Sequence, residues 1–159
     1  MESRYNKLKR KVRRIAYKVR VAVEWMAKDE DYDRPEHDMN ESDTLSGYCG
    51  RASAMLSYEL NRARLKHRIA YGCGHMYVIW DEHIIDVTAT QFGDYFGKTI
   101  VRRPESLKKL CERNDDASEF GTWETSKLFD TIHQAREWQI DNDWPDEQMI
   151  EEVDFEYLR

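Results

Sequence analysis

Three side chains suited to nucleophilic catalysis follow one another along this chain: Cys49, His75 and Asp86. Cys49 lies in the stretch Gly-Tyr-Cys-Gly-Arg-Ala-Ser, where glycines permit a sharp turn directly before a helical pattern. A cysteine attacks as a thiolate, and a helix N-terminus or a neighbouring imidazolium favours that form. Unpaired N–H groups at the turn can also stabilise the oxyanion formed when a thiolate attacks a carbonyl. The residues therefore predict thiol acyl chemistry at Cys49.

Two apolar runs, 75–80 and 83–88, predict a β-hairpin around a two-residue turn at Asp81-Glu82. This turn places Trp80 opposite His83, and it fixes the pairing of every residue before and after them. Because side chains alternate between the two faces of a sheet, one face of this hairpin is suited to a packed core. That face carries Met76, Val78, Trp80, Ile85 and Val87.

His75 and Asp86 fall together on the opposite face of the predicted hairpin, as diagonal neighbours across its two strands. A one-residue shift of the second strand would turn Asp86 into the core, which the cost of burying an unpaired carboxylate opposes. An aspartate that orients a histidine ring completes a catalytic triad with a nucleophile. The pattern predicts a triad in which Asp86 orients His75 and Cys49 is the nucleophile.

The remaining elements are predicted from hydrophobic spacing and from glycine and proline positions. Residues 28–46 are rich in acidic side chains and predict a long loop that leads to the site. A helix is predicted from Cys49 to about Leu65. The other predicted helices cover 1–28, 105–113, 126–140 and 146–157, and the other strands cover 67–72 and 99–101.

The chain has 159 residues, of which 40% are hydrophobic and 35% are charged. This length and composition predict one folded domain over residues 1–159, with a hydrophobic core and highly charged helices. Its predicted parts are a basic amphipathic helix at 1–28, a catalytic core at 47–101 and a helical C-terminal part at 105–159. The order of helices and strands predicts an α+β fold in which the helix bearing Cys49 packs on a small antiparallel sheet.

The cysteine content and the hydropathy of the chain indicate its compartment. Three cysteines are present, and no apolar run approaches the length of a membrane-spanning helix. The first twenty residues are basic and amphipathic, unlike the apolar core of a signal peptide. These features predict a cytoplasmic protein with reduced thiols and no transmembrane segment.

The N-terminal helix is strongly basic although the whole chain has a net charge of −6. A solvated surface, or an electrostatic match with acidic parts of the same chain, is the first interpretation. Binding of nucleic acid or of an anionic membrane surface are the alternatives. The basic residues in question include Lys9, Arg10, Arg13 and Arg14.

A zinc site is a competing interpretation of the cysteines and histidines. Cys73 and His75 are separated only by Gly74, and Cys49 or His83 would be further ligands. Structural zinc sites usually show ligand pairs of the form C-x-x-C or H-x-x-x-H, and neither form occurs here. The sequence therefore favours no metal and no cofactor, with Cys73 and Cys111 as structural thiols.

The stretch around Cys49, the run Gly-His75-Met-Tyr-Val-Ile-Trp and the run Ile-Ile-Asp86-Val-Thr88 together resemble the transglutaminase-like superfamily of papain-fold cysteine enzymes. The resemblance covers residues 47–92. In that family a Cys begins a helix, a His begins a strand, and an Asp followed by Thr lies on the next strand. The spacings of 26 and 11 residues between the three positions are short for the family, and Gly50 replaces an aromatic residue that often follows the Cys.

The resemblance implies a papain-like core and a Cys-His-Asp triad acting on an amide in a protein or peptide substrate. A protease or glutamine deamidase is favoured over a crosslinking transglutaminase. The alternative is a non-catalytic binding module on the same fold, which uses its basic N-terminal helix to bind a protein or nucleic acid. Papain-like enzymes add an upstream side chain to the oxyanion hole, and Asn40, Ser46 and Tyr48 are the candidates for it.

Overall fold

A computed structural model describes residues 1–31, 45–115 and 121–159 of the chain. The described residues have an α+β fold with four α-helices and a five-stranded antiparallel sheet. The helices are α1 (Arg4–Asp31), α2 (Cys49–Arg62), α3 (Pro104–Arg113) and α4 (Ile132–Asp141). The strands are β1 (Arg68–Gly72), β2 (His75–Trp80), β3 (His83–Asp86), β4 (Ile100–Arg102) and β5 (Lys127–Phe129).

The sheet has the strand order β4-β3-β2-β1-β5, so β2 lies at its centre. The predicted register of the hairpin is confirmed, because Trp80 pairs with His83. Asp81 and Glu82 both have positive φ, 44° and 61°, as a type I′ hairpin turn requires. The turn before β2 also has positive φ at its two central residues, Cys73 and Gly74. It places His75 directly at the start of the central strand.

One face of the sheet packs against α1 and α2. The predicted core face is confirmed, since Val78, Trp80, Ile85 and Val87 belong to one buried cluster with residues of both helices. α1 contributes an apolar stripe at three- and four-residue spacing, which is the face that a helix buries against a sheet. Its members are Val12, Ala16, Val19, Val23 and Met26, none of which has exposed surface.

The other face of the sheet is covered by α3 and by the loops around it. Tyr77, Ile84 and Ile100 point to this side and form a second buried cluster with Leu107 and Trp123. The two short 3-10 turns Ala89–Gln91 and Asp94–Phe96 follow β3 and add Phe96 to the cluster. None of the described helices combines the length and the apolar character that crossing a membrane would need.

The C-terminal part differs from its prediction. Residues 127–129 form a strand rather than the first turn of a helix, because they pair with β1 through Ile69 and Phe129. The helix α4 begins later, where the side chain of Thr131 accepts a hydrogen bond from Gln134 N and so caps it. The predicted last helix is also wrong: 3-10 segments at Asp146–Gln148 and Glu152–Leu158 replace it. At residues 127–129, pairing with the distant strand β1 outweighed the local helical pattern.

Smaller differences concern the ends of elements. The helix that begins at Cys49 ends at Arg62, three residues before its predicted end, and β3 ends at Asp86 rather than at 88. The strand predicted at 99–101 lies at Ile100–Arg102. The acidic loop predicted at 28–46 begins too early, because residues 28–31 belong to α1. Its part from 32 to 44 lies outside the described residues, and Asn40 lies there too.

Candidate active site

Cys49 is the first residue of α2, and its backbone surroundings favour anion binding. The preceding residue, Tyr48, occupies the N-cap position without making a side-chain cap hydrogen bond. The first helical hydrogen bond near this end runs from Ala52 N to Tyr48 O, at 2.9 Å. The N–H groups of the first turn thus have no acceptor within the helix. Gly47 reaches the turn with φ of +88°, a conformation that side chains disfavour.

Asp86 accepts four hydrogen bonds and is fixed by them. His75 Nε2 lies 2.5 Å from Oδ2 of Asp86, and Trp123 Nε1 donates to the same oxygen at 2.9 Å. The backbone N–H of Thr88 donates to Oδ1 at 2.8 Å, and its hydroxyl donates to Oδ1 at 3.2 Å. A buried carboxylate with this many donors is held in one orientation and remains ionised.

The ring of His75 is held between aromatic side chains and lies beside Cys49. Phe92 meets it edge-on with ring centres 4.9 Å apart, Trp123 meets it edge-on at 6.0 Å, and Tyr77 stacks on it at 6.0 Å. The side chain of Cys49 lies close enough to interact with the ring and to raise its pKa. Since Nε2 is directed at Asp86, Nδ1 is the ring nitrogen left for the thiol. The structure thus brings Cys49, His75 and Asp86 into one chain of contacts, although they lie on three different elements.

The protonation of His75 follows from these neighbours. Burial lowers the pKa of the imidazole, but the charge of Asp86, its hydrogen bond and the contact with Cys49 outweigh burial and raise the pKa of His75 to about 10. For Asp86, burial acts to raise the pKa, while the imidazolium and the other donors keep it below its ordinary value. At neutral pH the pair is therefore an imidazolium and a carboxylate, and both ring nitrogens of His75 carry protons.

These shifts make the stability of the fold depend on pH. The raised pKa of His75 adds stability that is complete below about pH 6.5 and is lost as the pH rises through about 10. The lowered pKa of Asp86 adds stability that is complete above about pH 4 and is lost as the pH falls through the folded-state value. We expect the urea midpoint of the wild type to exceed that of His75→Gln at pH 7, and the excess to shrink toward pH 10. An excess that stays constant from pH 7 to pH 10 would contradict the raised pKa.

Side chains from the C-terminal part cover Cys49. The thiol has 5% of its surface exposed and packs in a buried cluster with Met76, Phe129, Ala135 and Ile150. A substrate carbonyl can reach Sγ only where this cover opens. The triad is buried as a whole, because His75 and Asp86 are each only 2% exposed.

Gly50 has a steric reason to be glycine. A Cβ at this position would lie 2.6 Å from Nε2 of Gln139, a fully buried side chain of α4. Gln139 is itself fixed, since its Oε1 accepts from Ile150 N at 3.0 Å and its Nε2 donates to Gln148 O at 3.3 Å. The amide of Gln139 thus occupies the space where a larger residue after Cys49 would lie.

The sequence did not identify Trp123, Gln139 or Gln148 as residues of this site. Trp123 donates to the carboxylate of Asp86. The side chain of Gln148 lies 3.4 Å from a Cβ built on Gly47. No local signal in the sequence marks these three residues, because each lies more than thirty residues beyond Asp86.

The residues expected in the oxyanion hole have other surroundings. The Tyr48 hydroxyl donates to Glu30 Oε2 at 2.6 Å, so it is directed toward the end of α1. Ser46 is exposed. Neither of these contacts brings Tyr48 or Ser46 to the His75 ring. The backbone N–H groups at the start of α2 are donors near Cys49.

The other residues weighed as metal ligands lie apart from one another. His83 bonds Tyr5 through Nε2 at 2.9 Å and the Asp81 carbonyl through Nδ1 at 2.7 Å. Cys73 is exposed in the turn before β2, whereas Cys111 is buried in the cluster on the α3 side of the sheet. Among the described residues no three His, Cys, Asp or Glu side chains are grouped as metal ligands.

Trp123 reaches Asp86 because its segment crosses Gly72 without any intervening side chain. A Cβ on Gly72 would lie 2.1 Å from the backbone oxygen of Glu124, and Ser126 N donates to Tyr71 O at 2.9 Å beside it. Gly72→Ala therefore has to displace backbone. We expect a loss of about 3 kcal/mol in unfolding free energy, measured by urea denaturation, and a shifted indole N–H resonance of Trp123.

Gly121→Ala is the matched control for this substitution, because no heavy atom of the described residues lies within 4 Å of a Cβ on Gly121. We expect it to leave both the stability and the indole resonance close to the wild type. If Gly72→Ala had the same stability and indole resonance as Gly121→Ala, the segment of Trp123 and Glu124 would not pass so close to β1.

Comparisons with known proteins do not assign this chain to a family. No protein-family model matches it. No curated protein and no solved structure matches it either.

Proposed function

We propose that this protein is a cysteine-dependent amide hydrolase or acyltransferase that uses Cys49, His75 and Asp86. The observation that carries the proposal is the position of the His75 ring, which is hydrogen-bonded to Asp86 and also interacts with the side chain of Cys49. This arrangement supports an acid–base role for His75, which Asp86 orients beside the nucleophile Cys49. Because the pKa of His75 is raised to about 10, the ring carries at neutral pH the proton that a leaving group needs.

The first half of the reaction forms a thioester. Sγ of Cys49, as thiolate, attacks the carbonyl carbon of an amide, and the carbonyl π electrons move to oxygen. The N–H groups in the first turn of α2 stabilise that oxyanion. When the C–N bond breaks, the His75 imidazolium gives its proton to the leaving nitrogen. The products of this half are the acyl-enzyme, the free amine or ammonia, and a neutral imidazole.

The second half releases the acyl group. His75 takes a proton from water, whose oxygen attacks the thioester carbonyl. The C–S bond breaks, the carboxylic acid leaves, and the thiolate and the imidazolium are restored. A primary amine in place of water gives a new amide instead. Asp86 stabilises the imidazolium at both ends of the cycle and keeps the ring in place.

The finer fold and the substrate class belong to the same proposal. A helix that begins with the cysteine, packed on an antiparallel sheet with His75 at the start of one strand and Asp86 at the end of the next, supports a papain-like, transglutaminase-like core. That core acts on a protein or peptide amide. Hydrolysis by a protease or deamidase is preferred over crosslinking, and these steps require no cofactor.

A chromogenic ester tests the acyl step without knowledge of the natural substrate. Incubation with p-nitrophenyl acetate is expected to acetylate Cys49, as peptide mass spectrometry would show, with release of p-nitrophenolate. Cys73→Ala serves as the control that removes an exposed thiol and should leave this reaction unchanged. Acetylation that persists on other residues but spares Cys49 would contradict the proposal.

The acceptor can be identified with a glutamine-containing peptide. Release of ammonia and conversion of glutamine to glutamate would show a deamidase, while incorporation of a fluorescent primary amine would show a crosslinking enzyme. Cleavage of the peptide backbone would show a protease. Each of these activities should be absent from Cys49→Ala.

A further inference from the structure

A groove beside the N-terminal half of α1 concentrates positive charge. It has a volume of about 440 Å³ and lies between the N-terminal half of α1 and the corner where β4 leads into α3. We call it the basic groove. Its lining includes Lys9, Arg13, Arg102, Arg103, Tyr5 and Ser106.

The basic groove has four cationic side chains in its lining and no carboxylate, in a chain whose net charge is −6. Within the described ranges, Lys9, Arg13 and Arg102 form no ion pair; Arg102 instead donates to the hydroxyl of Ser106 at 3.0 Å. Only Arg103 has an acidic neighbour there, Glu82, at 2.9 Å. Gathering unpaired cations in a concave site costs electrostatic energy that an anionic ligand would relieve.

The elements that build the groove fix the spacing of these charges. Lys9 and Arg13 are one turn apart on α1, about 6 Å along its axis. On the opposite wall α3 begins with Pro104, and its first turn has no side-chain cap. Its unpaired N–H groups add to the positive potential. The hydrogen bond between Tyr5 and His83 ties α1 to β3 along the groove.

We infer that the basic groove binds the phosphodiester backbone of a nucleic-acid strand. Guanidinium groups match the geometry of phosphate oxygens, and three of the four cations are arginines. The positive surface continues out of the groove along α1 through the exposed Arg14, beside Arg10, whose charge is paired with Glu2. Next to them Tyr17 is 60% exposed and offers a ring on which a base can stack. A surface that extends along a helix suits a chain of phosphates better than a single phosphate.

The test uses a fluorescein-labelled single-stranded oligonucleotide and fluorescence anisotropy at several salt concentrations. We expect the double variant Arg13→Gln, Arg102→Gln to weaken binding about tenfold or more, and to reduce the slope of log K against log salt by about 1.4, or 0.7 for each lost phosphate contact. Lys9→Gln with Arg13→Gln is a second variant, which changes only side chains of α1 and should act in the same direction.

The matched control is Arg113→Gln with Arg136→Gln, which removes the same charge from two exposed arginines outside the groove. It should bind the oligonucleotide like the wild type. Equal losses in the groove and control variants would show attraction by net charge alone and overturn the inference. Binding of tripolyphosphate at the groove without any binding of the oligonucleotide would also overturn it, in favour of a small phosphorylated ligand. The inference does not depend on Cys49, so binding should survive Cys49→Ala.

Discussion

Replacing His75 with alanine is expected to slow acylation of Cys49 by about 10²- to 10⁴-fold, the usual contribution of a general acid–base group. The variant loses the group that takes up and gives back the proton. It also leaves the carboxylate of Asp86 buried, with only Trp123 and Thr88 as donors. The rate of p-nitrophenolate release in the first turnover measures the effect. Urea denaturation of the same variant shows how much of the fold is lost.

His67→Ala is the control for this substitution. His67 is also a hydrogen-bonded histidine, since its Nε2 lies 2.7 Å from the Ser57 hydroxyl and its Nδ1 lies 2.8 Å from the Leu65 carbonyl. It lies directly before β1, and both of these hydrogen-bond partners lie outside the triad. We expect acylation by His67→Ala within about twofold of the wild type, within the scatter of substitutions remote from the reacting atoms. Similar rates for His75→Ala and the wild type would rule out His75 as the acid–base group.

Replacing Arg51 with methionine is expected to lower the unfolding free energy by about 3–5 kcal/mol, because it leaves a buried carboxylate without its partner. Arg51 is buried and donates to both oxygens of Asp154, through Nε at 2.9 Å and Nη2 at 2.6 Å. Asp154 has no exposed surface. A loss of this size is a large fraction of the stability of a typical domain.

The same guanidinium joins three parts of the chain. It bonds both oxygens of Glu30 near the end of α1, at 2.9 and 2.5 Å. It also donates to the backbone oxygen of Glu147, in the segment that precedes Ile150. Because Ile150 packs in the cluster around Cys49, loss of Arg51 should loosen the cover of the thiol as well as the fold.

A second variant separates the effect of charge from the effect of lost packing. Adding Asp154→Asn to Arg51→Met removes the unpaired carboxylate, so the double variant should be more stable than Arg51→Met alone. Urea denaturation of both variants, with Arg113→Met as an exposed control, measures this difference. If the double variant proved less stable than Arg51→Met, the unpaired charge would not be the main source of the loss.

The parts of the fold that could be predicted from the sequence are those that local patterns determine. The apolar run 75–80 predicted β2 with its observed ends, and the alternation of side chains between the faces of the sheet placed Val78 and Ile85 in the core. The same alternation put His75 and Asp86 on one face, where they form a hydrogen bond. The glycines around Cys49 correctly indicated a turn before a helix.

The rest depends on contacts between distant segments, which a local pattern cannot show. The strand β5 exists because β1 offers it a pairing edge, and the sequence of Leu128 and Phe129 alone is equally compatible with a helix. Trp123 and Gln139 reach the site only through the path of the C-terminal part across Gly72 and Gly50. The bonds of Arg51 likewise join positions 21 and 103 residues apart.

The central claim, that His75 activates Cys49, is tested most directly by alkylation with iodoacetamide near pH 6.5, where about 1% of an ordinary thiol is ionised. Peptide mass spectrometry gives a separate rate for each of the three cysteines. We predict that Cys49 reacts at least tenfold faster than the exposed Cys73, although it is less accessible, and that His75→Ala removes this advantage while Cys73 is unaffected. Alkylation of Cys49 no faster than that of Cys73, or a rate unchanged in His75→Ala, would contradict the account.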